Sequence, residues 1–175
     1  MSDQSIYLQR HIRDIPDWPV KGVLFRDITP LLADAAAFKV AVDEMIAPFV
    51  GRQIEYVAAV DARGFIFGAA IAQKLGVGLV PVRKKGKLPF KTKSLTYDLE
   101  YGTASLEIHT DAFHKGAKVL IVDDLLATGG TVAAAATLVE KLGGEIVGIT
   151  FLVELCFLHG RDKLTSYDIK TVISY

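Results

Sequence analysis

Cysteine is nearly absent from this chain. Cys156 stands alone, so no internal disulfide can form, and its place in an apolar run predicts a buried thiol in a reducing cytoplasm. Neither sign of charge is in excess. Twenty Lys and Arg balance twenty Asp and Glu, which removes the global field that would gather nucleic acid or another polyanion. No apolar run is long enough for a bilayer, and no membrane association is expected. The longest, Ile146 to Leu158, carries Glu154 and falls short of the ~20 residues a spanning helix needs. Met1 to Ser5 lack the basic region and apolar core of a secretory leader, so none is expected. There is no internal repeat and no low-complexity run. With 51% hydrophobic residues and six prolines, disorder is disfavoured and one compact domain over residues 1–175 is expected.

Two familiar phosphate signatures are also missing. Gly130 is followed by Thr131-Val132, so the Lys-Ser/Thr pair of the NTPase phosphate loop is absent, as are the spaced glycines of the dinucleotide fingerprint. What stands there instead is Val119-Leu120-Ile121-Val122-Asp123-Asp124-Leu125-Leu126-Ala127-Thr128-Gly129-Gly130-Thr131. Four apolar residues predict a strand buried on both faces, closed by two carboxylates. Small residues follow, and Val132 to Leu142 predict a helix ended by Gly143-Gly144. A turn of Ala, Thr, Gly, Gly and Thr lets backbone N–H groups, two hydroxyls and a helix N-terminus converge on one anion. The adjacent carboxylates would repel phosphate but accept well from the hydroxyls of a ribose. Phosphate beside a vicinal diol points to a ribose 5-phosphate.

Other stretches echo this pattern. Ile54 to Val60 predicts a second buried strand, ending in Asp61-Ala62-Arg63-Gly64 before a small-residue helix over Phe65–Leu75. There Arg63 either caps or pairs locally, or holds a second phosphate group. Gly78 to Val82 predicts a third strand. It feeds Arg83, Lys84, Lys85, Lys87, Lys91 and Lys93, a run without an acid. The run is either a solvated face or, at its first members, a pyrophosphate contact. Residues 86–102 predict a long mobile loop with a hairpin, and Ala104 to Ile108 the strand returning from it.

Toward the N-terminus, Leu8, Ile12 and Ile15 predict a short helix from Ser5 to Ile15. The Pro- and Gly-rich stretch after it carries Trp18 and Phe25. Phe25 either plugs the core or stacks on a flat ligand whose edge the neighbouring backbone reads. Asp34 predicts a cap for a helix from Ala35 to Ala47. Glu145–Leu152 and Ile169–Ser174 predict the last strands, with Gly160 to Lys163 in a loop between them. His109 and His114 lack partners at metal-ligand spacing and are expected at the surface. Alternation of strands and helices predicts an α/β fold with a mainly parallel sheet, so Asp61–Gly64, Arg83–Lys87 and Asp123–Thr131 fall on one carboxyl-end rim.

The apolar strand, paired acids and Ala-Thr-Gly-Gly-Thr turn resemble the phosphoribosyl pyrophosphate (PRPP) motif of the type I phosphoribosyltransferases. Gly22 to Pro30, Asp61 to Phe65, Arg83 to Pro89 and Leu99 to Gly102 extend the resemblance to the adenine phosphoribosyltransferases over essentially the whole chain. That resemblance implies the type I phosphoribosyltransferase fold, a central sheet flanked by helices. It also implies a small N-terminal hood over residues 1–34 that binds the base, and a flexible active-site loop over 84–102. It implies transfer of the phosphoribosyl group from PRPP to adenine, giving AMP and pyrophosphate, with Mg²⁺ held mainly through substrate oxygens and water. Asp123 and Asp124 would take the ribose hydroxyls, and Ala127, Thr128, Gly129, Gly130 and Thr131 the 5-phosphate. Arg63, Arg83, Lys84 and Lys87 would take pyrophosphate, with Arg63 also catalytic. Phe25 would stack on adenine, Leu24 and Arg26 would read its edge through backbone groups, and Glu100 would move a proton on or off the base. A cis peptide within Asp61-Ala62-Arg63 and a homodimer are further implications. Xanthine or hypoxanthine as the base, or a non-catalytic PRPP-sensing regulator, are the alternatives. The regulator would ordinarily carry an added DNA-binding domain, for which this chain has no room.

Overall fold

The computed structural model describes residues 3–98 and 102–175. Its elements in chain order are α1 (Asp3–Gln9), β1 (Arg13–Pro16), β2 (Leu24–Asp27), α2 (Thr29–Ala33), α3 (Ala35–Ile46), β3 (Tyr56–Val60) and α4 (Gly64–Leu75). There follow β4 (Gly78–Lys84), β5 (Thr92–Asp98), β6 (Thr103–His109), β7 (Lys118–Leu126), α5 (Gly130–Lys141), β8 (Glu145–Glu154) and β9 (Ile169–Ser174). Seven strands among the described residues form one sheet in the order β5-β6-β4-β3-β7-β8-β9. From β4 to β9 neighbouring strands are parallel, while β5 and β6 form an antiparallel hairpin at one edge.

β7 shows why the sheet is two-sided. Val119 and Ile121 belong to one buried cluster, Leu120 and Val122 to the other, as the period of two along a strand requires. α3 and α4 cover the Leu120 and Val122 face, placing Met45, Phe67 and Ile71 over it. α5 covers the opposite face, with Val132, Leu138 and Val139 packed among Val119, Ile121 and Phe151. Capping is local. The Asp34 carboxylate accepts from the Ala37 N–H at 2.8 Å at the start of α3, and α4 ends on Gly76 at φ +69°.

Four details differ from the sequence reading. The helix expected from Ser5 to Ile15 stops at Gln9, because Arg13–Pro16 pairs antiparallel with Leu24–Asp27. Ion pairs between Arg26 and Asp14 and between Arg13 and Asp27 tie these two strands across. The acids expected to close the central strand lie inside it, since β7 stays paired with β8 as far as Leu126 opposite Glu154. Cys156, expected buried, is exposed, because the chain leaves the sheet after Glu154 in a short 3₁₀ turn over Cys156–Leu158. His109, expected at the surface, is half-buried, and its Nε2 is shielded with no hydrogen bond among the described residues. His114 is exposed, as expected. The Asp61–Ala62 peptide is cis, as the resemblance implied, and Trp18–Pro19 is also cis.

Candidate active site

The strand order creates a crevice. From β3 the chain crosses to β4 on one side, and from β7 to β8 on the other, so the loops after β3 and β7 diverge from adjacent parallel strands. Such a switch point leaves an opening at the carboxyl ends. A cavity of about 300 Å³ occupies it, lined by Asp61, Ala62, Arg63 and the run from Asp123 to Val132. Gly64 allows the approach. A Cβ there would stand 2.8 Å from Asp123 Oδ1 and 3.0 Å from the Val122 carbonyl oxygen.

The small-residue turn forms one wall. Gly129, at φ +77°, is the N-cap of α5, and no side chain caps that helix. The first-turn N–H groups therefore remain available to an anion at the cavity, and the helix dipole favours one. Tyr97 on β5 brings its hydroxyl to 3.1 Å from Thr131 Oγ1, which links the hairpin to this turn. Gly160, in the 3₁₀ turn Gly160–Leu164, lies directly behind it.

The two acids form the floor. Both are buried, and the Asp124 N–H donates to Asp123 Oδ1 at 2.8 Å. Arg63 Nε lies 2.8 Å from Asp124 Oδ2. Burial, then the neighbouring Asp124 charge, pushes Asp123 well above the usual carboxylate range. Burial also raises Asp124, but the Arg63 guanidinium opposes the shift. The pair thus holds protons more tightly than free carboxylates do. Acceptors so poorly solvated gain strongly from a hydroxyl donor.

Of the basic residues, Arg63 lines the cavity, and Arg83 stands outside the lining but is tied to it through Asp61. Arg83 Nε lies 3.2 Å from the Asp61 carboxylate, and its Nη1 donates to the Lys87 carbonyl at 3.1 Å. Lys84 and Lys87 are exposed and do not line the cavity. The turn bearing them is anchored from below by Glu107 on β6, a buried carboxylate whose Oε1 accepts from the Lys87 and Leu88 N–H groups at 2.9 Å each. Burial pushes Glu107 up, but hydrogen bonds from Leu88, Gly86 and Lys87 together prevail and hold it below its ordinary value. Glu100 lies outside the described residues.

Across the turn lies a second, more apolar cavity of about 530 Å³, lined by Gly22, Val23, Leu24, Arg26, Leu155, Phe157 and Leu158. Ala127 and Thr128 line both cavities. Strand alternation sends Leu24 and Arg26 to this side and Phe25 to the other. Phe25 is half-buried, edge-on to Trp18 at 4.4 Å, with the Arg63 guanidinium 5.6 Å from its ring centre. It is therefore not a plug in the core.

Leu125, Tyr97, Glu107, Gly160, Leu155 and Phe157 were not singled out from the sequence. Phe157 alone carried a signal, an aromatic beyond the end of a strand. Among the described residues no group of three or more His, Cys, Asp or Glu is placed to hold a metal ion, and no helix is long and apolar enough to cross a membrane.

A switch-point cavity with a buried carboxylate pair facing an uncapped, glycine-led helix N-terminus defines a binder of phosphorylated ribose. Residues 32–173 match the Phosphoribosyl transferase domain family. The adenine phosphoribosyltransferase of Thermotoga maritima is 60% identical over 168 residues, covering 96% of this chain and 97% of that protein. That of Nitrosococcus oceani is 52% identical, covering 96% and 98%. The crystal structure of the Thermoanaerobacter pseudethanolicus adenine phosphoribosyltransferase matches with a TM-score of 0.93 at 55% identity, covering 97% of this chain and 99% of that one. The Saccharomyces cerevisiae enzyme, solved with an imino-altritol bisphosphate and adenine, matches with a TM-score of 0.92 at 38% identity, covering 98% and 99%. The chain belongs to the adenine phosphoribosyltransferase family.

Proposed function

We propose that the protein transfers the 5-phosphoribosyl group of PRPP to adenine, releasing AMP and pyrophosphate. One observation carries this reading. The phosphate cradle and the paired acids share one cavity with Arg63, whose guanidinium lies 5.6 Å from the Phe25 ring centre, so a ribose held there has an aromatic face close at hand for a base. The 5-phosphate lies on Ala127 to Thr131, and the 2- and 3-hydroxyls donate to Asp123 and Asp124. Adenine enters beside β2, its edge read by the backbone of Leu24 and Arg26 and its face by Phe25.

In the reaction the bond from C1 to the pyrophosphate oxygen breaks and the bond from C1 to a ring nitrogen forms. Positive charge gathers on the ribose ring and negative charge on the leaving group. Arg63 and Arg83 neutralise the leaving pyrophosphate, with Lys84 and Lys87 joining from the turn above Glu107. Among the described residues no group of three acids is placed to cage a metal ion, so Mg²⁺ would be held mainly through substrate oxygens and water. Bound there, it would supply charge neutralisation to the leaving group. Glu100, on the loop 84–102, exchanges a proton with the base when that loop closes, while the hood over 1–34 shields the base from water. The protein works as a homodimer in the cytoplasm.

The deciding experiment assays pyrophosphate release from PRPP and Mg²⁺ with adenine, hypoxanthine, guanine and xanthine in turn. Turnover with adenine alone supports the reading, and turnover only with an oxopurine, or none with any base, rejects it. Glu100→Gln should depress turnover while leaving PRPP binding intact. Unchanged turnover would remove Glu100 from the mechanism.

A further inference from the structure

The wall behind the phosphate cradle is backbone. A Cβ built on Gly160 would overlap the carbonyl oxygen of Ala127 and stand 2.9 Å from the Gly129 amide nitrogen. Reciprocally, a Cβ on Gly129 would overlap the Gly160 carbonyl oxygen and stand 3.0 Å from its carbonyl carbon. Two glycines from distant parts of the chain thus meet main chain to main chain. Neither contact can be relieved by rotating a side chain, because every atom met is backbone. Gly129 therefore serves a second purpose beyond its positive φ.

Gly160 is itself fixed to the sheet. It follows His159, which adopts φ +51°, and opens the 3₁₀ turn Gly160–Leu164. The next residue, Arg161, grips Glu154 with Nε at 3.1 Å and Nη2 at 2.6 Å, and Nη2 also donates to Thr171 Oγ1 on β9 at 3.2 Å. Glu154 is buried at the end of β8, directly opposite Leu126 at the end of β7. The Leu155 N–H donates to the Leu126 carbonyl at 2.9 Å. At the other end of the turn, Leu164 is fully buried in the cluster beneath α5.

We infer that Gly160 is a positioning residue for the 5-phosphate, a rigid backstop that sets where the amides of Ala127 to Gly129 stand, with the Arg161–Glu154 fork fixing the backstop to the sheet. The inference rests on the phosphoribosyl reading of this cavity. An anion bound by backbone N–H groups is sensitive to their placement, and a displacement of about 1 Å costs on the order of 100-fold in a well-aligned site. Phe25 makes none of these contacts, so base binding should be affected far less.

The test compares ligands with and without the phosphate. Dissociation constants for AMP and for adenine are measured by calorimetry on wild type, Gly160→Ala and Arg161→Gln, together with KM for PRPP and for adenine. In Gly160→Ala, AMP affinity and KM for PRPP should worsen by roughly 10- to 100-fold, with adenine affinity within about 2-fold of wild type. Arg161→Gln should move the same quantities in the same direction by a smaller factor. Wild-type AMP binding by a folded Gly160→Ala overturns the inference, as does an equal loss for AMP and adenine, which marks a merely structural role. Should Gly160→Ala fail to fold, Arg161→Gln decides, with unchanged AMP affinity counting against the idea. Failure of the wild type to bind AMP rejects the phosphoribosyl reading itself and the inference with it.

Discussion

The two halves of the candidate site are built from different materials. The phosphate half is backbone held in a junction of β7 and α5, braced by Gly160 and floored by two buried acids. The base half rests chiefly on side chains of short strands and turns, and several of its parts are exposed, among them Trp18 at 51% and Leu24 at 46%. A backbone site is rigid but tolerates little sequence change. A side-chain site can be retuned to another flat ligand by single substitutions, because only the two-stranded β1–β2 ribbon, and not the central sheet, depends on it. The contrast locates affinity for the common donor in the core and choice of base at the edge.

The strongest way to break that contrast is at the floor. Asp123→Asn with Asp124→Asn removes two charged acceptors, each contributing about 1.5–3 kcal/mol, so turnover should fall about 100-fold or more and PRPP-induced thermal stabilisation should largely vanish. The apo protein should behave oppositely. Both acids have raised folded-state affinity for protons, so the stability they carry is complete below the unfolded pKa and is lost as pH rises through the raised folded value. Asp123→Asn alone should therefore increase the apo melting temperature at about pH 8 more than at about pH 5. A decrease at both would show that the buried charge is already compensated.

Glu107→Ala strikes the backbone-built rim from below. Removing the acceptor of the part-buried Lys87 and Leu88 N–H bonds costs about 1 kcal/mol each, read by denaturant unfolding, with adenine KM unmoved. Here the folded pKa is lowered, so its stabilising effect is present above the unfolded value and is lost as acid titrates through the lower one. Glu107→Gln keeps the Oε1 acceptor and should recover most of the loss at neutral pH. On the base side, Phe25→Ala should raise adenine KM about 10-fold, equivalent to about 1.4 kcal/mol of lost stacking and burial, and leave PRPP KM alone. A matching rise in both would erase the division between the halves. Smallest of all, Asp34→Ala removes the α3 cap and should cost about 1 kcal/mol of stability without changing either KM.

The same division decides what the sequence could disclose. The phosphate half is contiguous, so its composition displays its chemistry: four apolar residues, two acids and a run of small residues cannot be arranged in many ways. The alternation of strands and helices likewise disclosed the parallel sheet. What stayed hidden depends on pairing at a distance. Arg13–Pro16 reads as a helix end until Leu24–Asp27 comes alongside it. Glu107 looks like one more polar residue in an alternating strand until the Lys87 turn folds onto it. Gly160 looks like an ordinary loop glycine, and only contact with Gly129, 31 positions earlier, shows what its missing side chain makes room for. Cys156 misled because an apolar neighbourhood in sequence does not ensure an apolar neighbourhood in space once the strand ends.

The contact between Arg63 and Asp124 has a consequence for how ligands are received. In the free protein the guanidinium already neutralises the carboxylate beneath it. On the proposed reading, a phosphoribosyl donor bringing hydroxyls to one partner and anionic oxygens to the other does not add its attractions to an idle site. It carries out an exchange, in which an internal counter-ion is released from one carboxylate and taken over by the ligand. The affinity gained is the difference between two sets of contacts, and the ligand-free protein keeps this charge pair stored rather than hydrated. When products depart, that stored pair re-forms and helps to close the account on the pyrophosphate side.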